Sequence, residues 1–129
     1  DSIIQSNLKE HTSFIPGVPH DEIIHYQLNC HLLLLIIPET VNAAGILTGK
    51  LFEYLASGNK IICIGPKQGD AAKIIESCEA GCAIERYEKD NIKEFLSAQY
   101  DIYQKNQWVR QVNPEVFKYS RKNQAVELI

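Results

Sequence analysis

No apolar run in this chain is long enough to cross a bilayer. The longest, Leu32 to Ile37, spans six residues, whereas a membrane-spanning helix needs about 20. Methionine is absent, the first position included, and no signal-peptide pattern stands at the start, so the chain is expected to be a piece of a longer cytoplasmic protein. Positive charge is scarce: 13 Lys and Arg face 16 Asp and Glu, for a net charge of -3. Such a balance lacks the attraction behind nonspecific nucleic-acid binding, and no nucleic-acid partner is expected. The four cysteines are too few for a disulfide framework, and Cys63 lies inside an apolar run, which points to buried free thiols. Cys78-x-x-x-Cys82 has no histidine at zinc-finger spacing and no Asp-x-Asp motif occurs, so no metal site is expected. What remains is an ordinary globular composition, 45% hydrophobic and 22% charged over 129 residues, enough for one domain with a real core.

The order of apolar segments predicts an α/β chain. Ile3, Ile4 and Leu8 suggest a fragment of an amphipathic helix. Thr12 to Ile15 reads as a short strand ended by the turn cluster Pro16-Gly17-Val18-Pro19. His20-Asp21-Glu22 then opens a helix running through Leu28, with acids in its first turn. His31 to Ile37 is uniformly apolar, the pattern of a strand buried on both faces of a parallel sheet. Lys60 to Ile64 repeats it and closes on Gly65-Pro66. Asp70 is read as the N-cap of a helix through Cys78, Gly81 as its stop, and Cys82 to Ile84 as a fourth strand. Asp90 is read as the cap of a helix carrying Ile92, Phe95 and Leu96, which fades beyond Tyr103. Asn106 to Asn113 reads as a crossing segment, and Pro114 as the first position of a last helix. The expected fold is a Rossmann-like parallel sheet with helices on both faces.

One stretch carries candidate chemistry. Gly45 to Gly58 reads as a glycine-bearing loop leading into a helix, with Leu51, Tyr54 and Leu55 on one face and Gly58 as the stop. Thr48, Gly49 and Lys50 stand at the helix start, where free N–H groups and the positive end of the helix dipole attract phosphate. Glu53 lies one turn further in, where a carboxylate can take ribose hydroxyls. The plain alternative is a capped surface helix with a solvated Lys and Glu. The spacing is not that of a Walker motif. In parallel sheets ligands bind beyond the carboxyl ends of strands. The three loops expected there, Pro16–Pro19, Pro38–Thr48 and Gly65–Gly69, all contain glycine.

These residues resemble a known family. Gly45 to Gly58 with Ile61 to Pro66 is similar to the donor-binding motif of group 1 glycosyltransferases of the two-domain GT-B fold. Phe14 to Glu22 resembles that family's glycine turn and following helix. His31 to Leu35 resembles its next strand, and Val116 to Ile129 its closing helix. The resemblance implies that residues 1–129 form the C-terminal, nucleotide-sugar-binding half of such an enzyme. That half would be truncated at its N-terminus and would lack the acceptor-binding domain. It implies retaining transfer of a sugar from a nucleoside-diphosphate sugar to a glycan or lipid acceptor, as in polysaccharide biosynthesis. The donor would be a substrate rather than a permanently bound cofactor. The parent would work in the cytoplasm or at the inner face of the cell membrane, and the isolated piece would be inactive.

Carried over by position, Glu53 is the ribose ligand, and Thr48, Gly49 and Lys50 face the donor diphosphate. Lys50 would stabilise the leaving group, Gly17 and Val18 would approach the base, and Gly45 and Leu47 would line the sugar side. The family's first glutamate falls at Gly45, so one carboxylate of the expected pair is absent. Two other function classes share much of the pattern: a GT-B nucleotide-sugar epimerase, and a noncatalytic α/β binding module. His20 lies near the expected site, whereas His11, His25 and His31 read as surface or packing residues. Lys67 and Asp70 read as a solvated cation and a cap, and Trp108 with Tyr103 as packing.

Overall fold

Leucine and isoleucine without a polar break form β1 (Leu32–Ile36), and Lys60–Ile64 forms β2, whose β-branched Ile61, Ile62 and Ile64 favour a strand. The computed structural model describes residues 5–119. Its element order is α1 (His20–Asn29), β1, α2 (Gly49–Ser57), β2, α3 (Asp70–Ser77), β3 (Gly81–Ile84) and α4 (Lys89–Gln104). Short 3-10 turns occupy Lys9–His11, Ala43–Gly45 and Pro114–Tyr119. The described sheet is parallel throughout, in the order β1-β2-β3, with Leu33 opposite Ile61 and Ile62 opposite Cys82.

One face of the sheet carries the core. Leu33 and Leu35 of β1, with Ile61 and Cys63 of β2, pack under Leu51 and Leu55 of α2 and Ala71, Ile74 and Ile75 of α3. The helix periodicity of those residues and the two-residue alternation of the strands therefore meet on a common surface. Each fully buried Leu or Ile contributes about 1.5–3 kcal/mol relative to exposure. The opposite face is less covered. Ile62 and Ile84 are buried, but Leu34 is 53% and Ile36 62% exposed. The side of α4 bearing Leu96 and Tyr103 faces His31, Leu32 and Trp108 across a hollow, and of β1 it borders Leu32 alone. Burial on both faces thus holds for the central strand β2 and fails for β1. The reason is position: β1 is an edge strand of the described sheet, and α4 does not extend over it.

Other expectations are corrected by contacts distant in sequence. Thr12 to Ile15 forms no strand, because no described strand lies beyond β1 to pair with it, and Phe14 and Ile15 stand exposed. Pro16 to Pro19 runs without a turn into α1. Cys82 to Ile84 belongs to the third strand of the described sheet rather than a fourth. Gly69, not Asp70, is the N-cap of α3, its O accepting the Lys73 N–H at 3.1 Å, and its missing side chain admits Ala44, whose O would stand 3.1 Å from a Cβ there. Gly81 does not stop α3. The helix ends at Cys78 and the chain reverses at Glu79, which adopts φ 51°. Gly81 instead opens β3 at φ 151°, where a Cβ would lie 1.9 Å from the Ile61 carbonyl oxygen. Glu88 rather than Asp90 precedes the first turn of α4; its carboxylate takes the Glu85 N–H at 3.0 Å and the Asn91 amide at 3.2 Å.

The remaining pieces behave as packing. The crossing segment is tied down by Gln111 N–H to Gly58 O at 3.0 Å and by Trp108 Nε1 to His31 O at 3.2 Å. The His31 ring meets Tyr103 and Trp108 edge-on, at 4.6 and 4.7 Å. All four cysteines are free, Cys63 and Cys78 buried and Cys30 and Cys82 half-buried. Burial pushes the Cys63 thiol up to about 11. Pro114 opens a 3-10 turn; Ile3, Ile4 and residues 120–129, with the rest of the expected closing helix, lie outside the described residues. Among the described residues no helix is long and apolar enough to cross a membrane.

Candidate functional site

The loop after β1 and the start of α2 are built by local capping. Thr48 is the N-cap, its Oγ1 accepting the Leu51 N–H at 3.3 Å, and Gly58 ends the helix in the left-handed region at φ 77°. The cap satisfies Leu51 only. The N–H groups of Gly49 and Lys50 find no acceptor among the described residues. Lys50 is exposed and makes no ion pair among them. Upstream, Ala43–Gly45 is held as a 3-10 turn by Gly45 N–H to Asn42 O at 3.0 Å. Its back rests on Gly69, so the loops after β1 and β2 touch, as convergence at the strand ends requires.

The seven glycines divide by their surroundings. Gly58, Gly65, Gly69 and Gly81 each have a neighbour within 3.1 Å of a notional Cβ, and all four serve packing. Gly17, Gly45 and Gly49 have none within 4 Å. Those three border open space, and all three are candidate site residues. Gly45 therefore lacks a side chain for no reason of crowding at its Cβ position. Leu47 is exposed between Gly45 and Thr48.

Glu53 points toward α1. Its Oε2 accepts from Gln27 Nε2 at 3.2 Å, and its Oε1 lies 3.4 Å from His20 Nε2. His20 opens α1 directly after Pro16–Pro19, so that segment is linked to α2 through the His20–Glu53 contact. Gly17 is exposed and Val18 half-buried. A groove of about 170 Å³ runs between the helices, lined by Ile24, Gln27, Leu28, Glu53, Ala56 and Ser57. Beside Glu53 on the helix, burial first, and then the charges of Cys30 and Glu53, push the Tyr54 hydroxyl upward, so it stays protonated near neutrality.

A larger hollow of about 370 Å³ lies beyond the carboxyl ends of the strands, among Pro38, Glu39, Gly65, Pro66, Glu85 and Arg86. Arg86 pairs with Glu39 at 3.4 Å across it. Neither residue carries a local motif; only the topology, which puts three strand ends side by side, could have marked them. Lys67 is engaged by Glu88, whose hydrogen bond raises the lysine and holds the carboxylate below its usual range. Asp70 lies 4.0 Å from Lys73. Both therefore face other side chains of the fold. No cluster of three or more metal-ligating side chains occurs among the described residues.

Comparison of the chain with family models, with curated proteins and with solved structures yields no match.

Proposed function

We propose that this chain is the donor-binding part of a retaining glycosyltransferase, taking a nucleoside-diphosphate sugar at the start of α2. The observation that carries this reading is the start of α2, where Gly49 is uncrowded, the N–H groups of Gly49 and Lys50 have no acceptor among the described residues, and the carboxylate of Glu53 follows one turn on. Backbone without side chains lets a diphosphate approach closely, and the N–H groups of Gly49 and Lys50 then act as fixed donors.

The chemistry follows from charge. When the glycosidic bond to the diphosphate breaks, negative charge builds on the departing oxygen. The helix start and the Lys50 ammonium stabilise that charge without having to reorganise. Removal of one such donor typically lowers kcat by about 100–1,000-fold. Glu53 accepts hydrogen bonds from the ribose hydroxyls and takes no part in bond breaking. The acceptor, a glycan or lipid, binds to a further domain of the parent chain, and sugar transfer by this chain alone is not expected. The fold supports the reading only at the level of a parallel α/β sheet with its loops at the strand ends.

Calorimetric titration of the chain with ADP, GDP, UDP and CDP tests the proposal. One diphosphate is expected to bind, with affinity reduced about tenfold or more in Glu53→Ala, the scale for losing hydrogen bonds to a charged group. Absence of binding to all four at millimolar concentration would refute it.

A further inference from the structure

Gln27 is the one buried residue of α1, 9% exposed, on a helix whose other members are all exposed. It shares the helix face of Ile24 and Leu28, where an aliphatic side chain would satisfy packing alone. A buried amide is instead costly unless its groups are bonded. Its Nε2 donates to Glu53 Oε2. Its backbone oxygen accepts from Asn59 Nδ2 at 2.6 Å and from Cys30 Sγ at 3.3 Å. Asn59, 2% exposed, is itself fixed by its N–H to Ser57 Oγ at 3.2 Å, and Ser57 Oγ donates to Tyr54 O at 2.6 Å. Gln27 is thus clamped to the α2–β2 junction by its main chain and to the middle of α2 by its side chain.

Glu53 gains a defined orientation from this arrangement. Its carboxylate has about four lone-pair positions. Gln27 occupies one on Oε2 and His20 faces Oε1, which leaves further acceptor capacity on each oxygen for two adjacent hydroxyls. An exposed glutamate without such a partner samples several rotamers, and a ligand must remove that freedom on binding. We infer that Gln27 is a positioning residue, which presets the Glu53 carboxylate to receive a vicinal diol. The inference rests on the donor-site reading above and narrows it: Gln27 acts on the ribose hydroxyls, not on the phosphates or the base.

The test uses the full chain and matched pairs of nucleoside diphosphates, each ribose form against its 2′-deoxy form. Wild type is expected to prefer the ribose form, and Gln27→Met to lose that preference by about tenfold while binding the deoxy form as wild type does. In the Glu53→Ala background Gln27→Met is expected to change nothing further, because its effect passes through Glu53. A Gln27→Met chain that keeps the wild-type preference, or weakens both forms equally, overturns the inference and leaves the donor site standing. Absence of diphosphate binding by wild type overturns both. Should Gln27→Met not give a cooperative melt, the Gln27 side-chain amide resonance of the wild-type chain serves instead. It is expected to move on adding the ribose diphosphate and not the deoxy form; equal movement with both refutes the inference.

Discussion

Replacing Gly49 by alanine sets stability against binding. Gly49 is the first residue of α2, and a Cβ there meets no atom within 4 Å. The new methyl group creates no clash and restricts the unfolded chain, which by itself stabilises a compatible site by about 0.4–1 kcal/mol. For a chain between the domain sizes for which the scaling is known, that corresponds to a rise in Tm of roughly 1–5 °C. The same methyl would occupy the space through which a diphosphate reaches the N–H groups of Gly49 and Lys50. A ligand held off by about 1 Å loses most of two charge-assisted hydrogen bonds, each contributing about 1.5–3 kcal/mol, so affinity is expected to fall at least tenfold. Thermal unfolding followed by circular dichroism gives the first quantity and calorimetric titration the second. A Gly49→Ala chain that melts higher and binds nucleoside diphosphate as tightly as wild type would refute the view that this glycine keeps an approach open.

Gly81→Ala should act in the opposite sense, since its Cβ would lie 1.9 Å from the Ile61 carbonyl oxygen and φ 151° disfavours any side chain. Backbone strain of about 1–3 kcal/mol and disturbed β2–β3 ladder bonds at about 1 kcal/mol each predict a loss of roughly 3–5 kcal/mol, read as a lowered urea midpoint; a midpoint within error of wild type would contradict the packing argument. A Cβ at Gly45 meets no neighbour, so the stability of Gly45→Glu should stay within about 0.5 kcal/mol of wild type, and a larger drop in thermal midpoint would mean that the turn is crowded. The Cys63 thiol, held up to about 11 from an ordinary 9.0, keeps its proton in the folded chain while the unfolded chain releases it. Stability should therefore fall as pH rises from about 9 to about 11, by up to about 2–3 kcal/mol, and Cys63→Ala should flatten that slope in pH-dependent urea titrations. Equal slopes for both chains would refute the assignment to Cys63.

Features fixed by neighbours in sequence were legible. The Thr48 cap, the Gly58 stop and the apolar runs of β1 and β2 need only a few residues to act, and α2, β1 and β2 stand where those signals put them. Features fixed across the fold were misread. Gly81 looks like any helix stop until Ile61, twenty positions away, is brought under it. Gly69 and Asp70 are both acceptable caps by type; the Lys73 N–H to Gly69 O bond puts the cap at Gly69, and the approach of Ala44 keeps that position free of a side chain. The solvent on one face of β1 follows from its rank in the sheet, which its own residues do not encode. At the candidate site, the place of Glu53 follows from the helix pattern, whereas Gln27 belongs to no motif. Its signal was present in the 24, 27, 28 spacing, which seats an amide on the apolar side of α1.

The contact between Gly69 and Ala44 changes how the loop after β1 responds to load. Residues 38–48 span eleven positions without strand or α-helix. A free segment of that length would be a soft spring, yielding along its whole contour when a ligand presses on it. Braced at Ala44 from behind, it works as two short struts, one on either side of the 3-10 turn. Force applied at Gly45 passes into the backbone at Gly69 and from there into α3, whose Ile74 and Ile75 are seated in the core. The loop edge at Gly45 is therefore backed by α3, and if the proposed donor binds there little ordering remains to be done on contact.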